Sequence, residues 1–237
     1  PKRVFNGEHG YFKLIENDDY DISYLQENIG KLWMVNQLAH KPFPSGRLTH
    51  GLVHAIKDLK LKHGLNKDDI ESIECFVPPG VYKLVARPII DNLTTNYSKL
   101  CAKFVGASFM INDHLNIETF TEKKYLNNKD TLNFAKKITM IKNDKLDQKV
   151  LTPQKFIITL VNNNKFEINI DHVYGHPKAP LSEKEYLEKF SKCCFSSTNK
   201  VDQNQVNRML DFVFDLENKD NVIAVSYTHL RAHETSR

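Results

Sequence analysis

Two prolines separated by a single residue, Pro42 and Pro44, constrain the fold of this 237-residue chain more than any other feature. Proline fixes its own φ angle and biases the residue before it toward an extended conformation, so Lys41 and Phe43 are expected in a stiff loop. Gly46 follows closely and leaves backbone N–H groups open to an approaching anion. The pattern therefore predicts a rigid loop that holds its cationic side chains in place.

An amphipathic helix is predicted directly after this loop, over residues 46–62, because apolar residues recur there at helical spacing. Ser45 can cap its start, and His50 lies in its first turn. We therefore expect Lys41, Arg47 and His50 to converge in one solvent-accessible concavity, where a strand ends and this helix begins.

The side chains of the loop suit the binding and proton chemistry of carboxylates. An arginine can hold a carboxylate through two parallel hydrogen bonds, and a lysine provides a compact charge or, if its pKa falls, an acid or base. Histidine titrates near neutral pH. The alternative left open is an ordinary connection from a strand to a helix, with solvated Lys41 and Arg47 and with His50 satisfied by a backbone carbonyl group.

The rest of the pattern predicts an α+β arrangement with a loop at residues 5–12. Helical spacing and apolar runs predict helices at 20–27, 97–111, 131–137, 182–194 and 203–216. Short β-rich runs predict strands at 31–39, 68–77, 138–142, 155–161 and 165–173. Asn162, Asn163 and Asn164 suit a hairpin turn between the last two strands, and Ser182 with Glu185 predicts a capping box.

The segment from Lys41 to His50, Lys-Pro-Phe-Pro-Ser-Gly-Arg-Leu-Thr-His, resembles the signature of the MmgE/PrpD family, which includes 2-methylcitrate dehydratase and cis-aconitate decarboxylase. The resemblance continues, in the expected order, through residues 7–12, 70–79, 87–88, 98–120 and 175–190. The block at residues 175–182, Gly-His-Pro-Lys-Ala-Pro-Leu-Ser, is its most specific continuation. The similarity thus covers most of residues 3 to about 215.

This resemblance implies an α+β, lid-type small domain with mixed helices and antiparallel strands, flanked by helices that belong to a largely missing all-helical domain. Residues 1–30 would be a remnant of the helical domain, 31–174 the lid domain and 175–224 the helices that return to the helical domain. Residues 225–237 are similar to an in-frame translation of a sequencing-library adapter and are expected to belong to no domain core. The chain would therefore be a C-terminal fragment of a family member.

The resemblance also implies a cofactor-free lyase or isomerase that acts on a small di- or tricarboxylate, as 2-methylcitrate dehydratase does. It assigns Lys41 and His50 to catalysis, and Ser45, Gly46 and Arg47 to substrate binding. The parent protein is expected to be a homodimer, and the fragment alone is expected to be inactive, because the loop would form only one wall of a cleft. Several members carry cysteine or histidine where this chain has Gly46, which suggests a different subgroup.

A non-catalytic module that binds acidic ligands or RNA is the competing hypothesis. It would require basic residues spread over one face together with exposed aromatic side chains, whereas the aromatic residues here mostly occupy apolar-periodic positions. The net charge of +4 is too small to indicate nucleic-acid binding by itself. The enzyme is therefore the preferred hypothesis.

Other classes find little support in the sequence. The four cysteines lack a repeated CxxC spacing, which favours reduced thiols in a cytoplasmic protein, and no run of 18 apolar residues suggests a membrane span. Asp171, His172 and His176 could suggest a metal site, but their spacing falls on a strand end and a turn, so no metal is expected. No glycine-rich phosphate loop or dinucleotide fingerprint appears, and no cofactor is expected.

Overall fold

The computed structural model describes residues 4–198 and 201–219. The chain divides into two compact units between Ala39 and His40, and each is described by itself. The expectation for residues 225–237 lies outside the described residues. The predicted division at residues 30/31 and 174/175 remains a prediction.

The first unit contains short helices only: α1 (Tyr11–Glu16), α2 (Ile22–Asn28) and a 3₁₀ turn (Met34–Gln37). The carboxylate of Asp21 accepts a hydrogen bond from the backbone N–H of Ser23 at 2.9 Å and caps α2, which confirms the predicted helix. The last two residues of the loop expected at 5–12 are helical, because α1 begins at Tyr11. The strand predicted for 31–39 is wrong, because the apolar residues of this segment run consecutively and lack the alternation of a half-buried strand.

The second unit is built on a four-stranded sheet in the order β2-β1-β3-β4. The strands are β1 (Ile70–Val77), β2 (Ile138–Lys142), β3 (Gln154–Leu160) and β4 (Lys165–Ile170). β3 pairs with both β1 and β4 in antiparallel fashion, whereas β2 runs parallel to β1. The predicted hairpin is confirmed, and Asn163 supplies its left-handed residue with φ +67°.

Helices cover the face of the sheet to which alternate residues of β3 contribute buried side chains. Their bounds are α3 (His50–His63), α4 (Pro79–Val85), α5 (Thr95–Ser98), α6 (Ala102–Asn112), α7 (Ile117–Thr121), α8 (Lys123–Leu126) and α9 (Lys129–Lys136). The close contact of α3 with α6 depends on Gly106, where a Cβ atom would lie 2.5 Å from Leu52 Cδ2. The α+β class expected from the sequence is confirmed.

The central helix α6 carries the core of this unit. Phe104 and Val105 are completely buried and Met110 is nearly so. The apolar side chains of residues 104–110 are therefore enclosed by their own unit.

Two amphipathic helices follow the sheet: α10 (Glu183–Phe195) and α11 (Gln203–Phe214). Ser182 and Glu185 form the predicted capping box of α10, with the Glu185 carboxylate accepting from the Ser182 backbone N–H at 3.0 Å. Val213 at the end of α11 is 57% exposed. Within the described ranges, we find no helix with the length and apolar character needed to cross a membrane.

Candidate functional site

The loop that precedes α3 is held by backbone hydrogen bonds at both ends. The N–H group of His40 donates to the carbonyl oxygen of Gly175 at 2.8 Å, and the N–H group of Gly46 donates to that of Lys99 at 2.9 Å. Gly175 has φ +90°, and a Cβ atom there would collide with the carbonyl oxygen of His40. Tertiary hydrogen bonds therefore hold the loop at both ends, in addition to the constraint predicted from its prolines.

A chain of three buried side chains runs inside the loop. Thr49 Oγ1 donates to the carbonyl oxygen of Gly46 at 2.8 Å, so Ser45 Oγ must donate to Thr49 Oγ1 at 3.0 Å. His50 Nε2 must then donate to Ser45 Oγ at 3.1 Å. The hydrogen-bond network thus assigns the neutral ring a proton on Nε2. Nδ1 of His50 is buried and has no partner among the described residues.

This environment keeps the ring of His50 uncharged. Burial, followed by the positive charge of Lys41, lowers the pKa of His50 to about 4. The ring has no solvent exposure. The expectation that His50 shares a solvent-accessible concavity with Lys41 and Arg47 is therefore wrong: α3 begins at His50, and the first turn of this helix faces the core.

Lys41 and Arg47 provide charge without carboxylate partners. Lys41 is exposed and Arg47 is half-buried, and neither forms an ion pair within residues 4–198 and 201–219. Both charges lower the pKa of His50, so both lie close enough to its ring for an electrostatic effect. The Ser45 side chain is buried and forms its hydrogen bonds with Thr49 and His50 inside the loop.

Arg47 lines a small cavity of about 160 Å³ whose other polar residues are Thr152, Gln154, His172 and His176. The sequence suggests no role for the two histidines other than metal binding, which it does not favour. Their proximity to Arg47 follows from the turn after β4, which no local pattern indicates. Among the described residues, no group of three or more histidine, cysteine or acidic side chains is placed to hold a metal ion.

A larger cavity of about 550 Å³ lies where Phe43 and the adjoining prolines approach α10. Lys57 and Glu185 both line it, with Lys57 Nζ and Glu185 Oε1 2.7 Å apart. The Lys57 ammonium also lies 4.3 Å from the ring centroid of Tyr174. Burial raises the pKa of Tyr174, and its hydrogen bond to Glu185 raises it further. These contacts connect α3, which follows the proline loop, to Tyr174 and α10.

One protein-family model matches most of the second unit. The model of the MmgE/PrpD C-terminal domain matches residues 43–213, which is well over half of the chain and includes most of the proline loop, the sheet and the block that follows it. No curated protein matches the chain significantly. On the strength of the family match, this chain belongs to the MmgE/PrpD family.

Proposed function

We propose that the chain is the C-terminal part of a cofactor-free lyase that acts on a small di- or tricarboxylate, in the manner of 2-methylcitrate dehydratase. The observation that supports this most is the pair of cations, Lys41 and Arg47, on a loop held at both ends. Neither forms an ion pair with a carboxylate of the described residues. Cations left unpaired by a protein's own acids attract the carboxylates of a ligand.

Dehydration removes a proton from a carbon next to a carboxylate and expels a hydroxide from the neighbouring carbon. The leaving oxygen needs a proton donor, and the carboxylates need cations that hold the substrate in register. In this proposal the Lys41 side chain donates or accepts the proton or neutralises a carboxylate, and Arg47 holds a carboxylate. The backbone N–H group of Gly46 already donates to the carbonyl oxygen of Lys99, so Gly46 contributes chiefly by its close packing against Leu100, which shapes the loop.

His50 enters the proposal as a positioning residue. Its neutral ring donates to Ser45 and thereby holds the turn between Lys41 and Arg47. A proton exchange between His50 and a substrate would require the ring to leave the core, because it has no solvent exposure here. Positioning predicts that a His50 variant weakens both substrate binding and turnover while leaving the pH profile of the parent enzyme unchanged.

The matched family model describes a C-terminal domain, which supports the further proposal that the active protein contains an additional, helical domain. That domain would supply the other wall of the cleft, because transition-state stabilisation requires acid, base and carboxylate-binding groups around the substrate. We further propose that the parent is a cytoplasmic homodimer. The chain alone is then expected to bind carboxylates weakly and to catalyse nothing.

The test compares the chain, a parent protein encoded by a longer reading frame, and the parent carrying Lys41→Ala. Methylcitrate, cis-aconitate and related acids are supplied as substrates, and alkene absorbance and released carbon dioxide are followed. We expect turnover by the parent and a loss of at least about 100-fold for Lys41→Ala, in the range seen when a general acid or base is removed. Lys142→Ala is the matched control, because it removes an exposed lysine at the end of β2 that pairs with Asp144.

Two outcomes would overturn parts of this proposal. Turnover by the purified chain would contradict a site formed by two walls. Full activity of the Lys41→Ala parent would exclude Lys41 from the mechanism. A parent that turns over none of these acids and instead retains RNA at physiological salt would favour the binding-module hypothesis.

A further inference from the structure

The small cavity beside Arg47 has the composition of an anion site. Its polar lining comes from three parts of the chain: Arg47 in the 3₁₀ turn Arg47–Thr49, Gln154 at the start of β3, and His172 with His176 after β4. The side chain of Gln154 is 2% exposed and donates from Nε2 to the carbonyl oxygen of Leu151 at 2.9 Å, which fixes this wall. Its position depends on Gly51, where any Cβ atom would collide with the Gln154 amide.

The two histidines form a stacked pair with one assigned donor. Their ring centroids are 4.7 Å apart and their planes differ by 13°. Nδ1 of His176 accepts a hydrogen bond from the backbone N–H of Lys178 at 3.0 Å. Because Nδ1 is an acceptor, the neutral ring of His176 carries its proton on Nε2, which is therefore a donor at any pH.

The local charge is positive and uncompensated. Burial and the charges of His172, Arg47 and Lys178 all lower the pKa of His176. The described residues form no ion pair with Arg47, His172, His176 or Lys178. Asp171, which is close by in sequence, is exposed and forms no ion pair with either histidine. A bound anion would stabilise the charge of Arg47 and a protonated ring of His176.

The volume limits what can bind. About 160 Å³ is well below the roughly 300–1,000 Å³ of pockets that enclose an entire small molecule, but it accommodates a single acid group. Arg47 supplies the paired N–H groups that match a carboxylate, and His176 supplies a further N–H donor. Apolar side chains of Leu48, Leu151 and Val173 complete the lining and reduce competition from water.

We propose that Arg47, His172 and His176 form a subsite for one carboxylate group, and that this carboxylate is an arm of the di- or tricarboxylate substrate. The second half of this statement rests on the proposed function. The first half does not, because it concerns binding of a carboxylate to the chain itself. The subsite adds His172 and His176 to the candidate site residues. In this proposal it favours substrates that can place one carboxylate group beside Arg47.

The test is a titration of the chain with citrate, followed by long-range ¹H–¹⁵N NMR of the histidine rings, with acetate and inorganic phosphate as parallel arms. We expect citrate to shift the ring signals of His172 and His176 and to raise the pKa of His176. Acetate should shift the same signals more weakly. Phosphate binding more tightly than citrate would show a site for phosphate instead and would contradict the carboxylate assignment.

Three variants locate the binding. His176→Asn keeps a side-chain acceptor for the N–H of Lys178 and removes the Nε2 donor. His172→Gln removes the stacked imidazole ring, and Arg47→Gln removes the guanidinium cation. Each is expected to weaken citrate binding about 10-fold, which corresponds to the loss of about 1.4 kcal/mol. His63→Gln removes a histidine that lies against Phe166, away from this cavity, and should bind citrate as the unaltered chain does.

The outcomes separate the subsite from the proposed enzyme activity. Citrate that leaves the His172 and His176 signals unmoved, or His176→Asn and Arg47→Gln chains that bind citrate normally, would overturn the subsite. In the parent enzyme, His176→Asn should raise KM more than it lowers kcat, and unchanged kinetics would again contradict the subsite while leaving the lyase proposal intact. Citrate binding at these residues in a parent without turnover would support the subsite and contradict the lyase proposal.

Discussion

The backbone N–H group of His40 donates to the carbonyl oxygen of Gly175 at 2.8 Å and so joins the two segments on which the family resemblance chiefly rests. A second bond reinforces this contact, because the ring of His40 and the hydroxyl group of Tyr186 are 2.8 Å apart. The proline loop is therefore positioned by the segment after β4 as well as by its own backbone constraints. Substitutions in either segment should affect the other.

Gly175→Ala should destabilise the protein by about 2 kcal/mol or more, because φ is +90° and the new Cβ atom would collide with the His40 carbonyl oxygen. Gly64→Ala is the matched control: its φ is +63°, but no atom lies within 4 Å of the added Cβ, so about 1 kcal/mol is expected. Urea unfolding measures both. Equal losses would show that the contact with His40 has no energetic effect.

The burial of neutral His50 should make the protein less stable at acidic pH. Its pKa is about 4 in the folded state against 6.5 in the unfolded state, so the unfolded chain binds the proton first as the pH falls. The free energy of unfolding should be highest above pH 6.5, decline between pH 6.5 and 4 by about 3 kcal/mol from this residue, and change no further below pH 4. Urea unfolding across this pH range provides the measurement.

His50→Gln isolates this effect, because glutamine keeps an N–H donor for Ser45 and does not titrate. The variant should lose stability less steeply between pH 6.5 and 4 than the unaltered chain. His63→Gln, at the other end of α3, is the control and should retain the original slope. If the slope of His50→Gln equals that of the unaltered chain, His50 does not stay neutral in the folded state.

Glu185→Gln should loosen α10. Burial would raise the pKa of Glu185, but hydrogen bonds from Lys57, Tyr174 and Ser182 outweigh it and lower this pKa to about 2. Loss of the charge should cost about 1 kcal/mol, a modest figure because the ion pair is partly exposed to solvent. Hydrogen exchange along α10 should accelerate, whereas Glu188→Gln, whose partner Lys184 is 4.0 Å away and exposed, should leave exchange unchanged. Equal acceleration in both would contradict the role of Glu185.

Gly46→Ala tests the close packing at the position where several family members carry cysteine or histidine. The φ angle of Gly46 is −62°, so alanine causes no backbone strain, but its Cβ would lie 2.5 Å from Leu100 Cδ2. We expect a cost of about 1 kcal/mol that disappears in a Leu100→Ala background, measured as a double-mutant cycle by urea unfolding. Additive effects would mean that Leu100 does not restrict this position.

Local signals in the sequence determined much of the secondary structure. The capping box of Ser182 and Glu185 and the asparagine turn at Asn163 act through atoms a few residues apart, so the sequence alone predicts them. The proline loop and the family were predicted for the same reason, since both depend on the order of neighbouring residues. The run of apolar residues at 31–39 misled the strand prediction, because composition without alternation does not specify a strand.

Only the tertiary structure decided which side chains of the candidate site meet. The burial of His50 depends on the direction in which α3 enters the core, and the parallel pairing of β2 with β1 depends on the segments that connect them. The cavity shared by Arg47, His172 and His176 forms because residues far apart in sequence contact one another. Desolvation and electrostatic coupling depend on which groups are close in space. The order of residues along the chain therefore does not specify them.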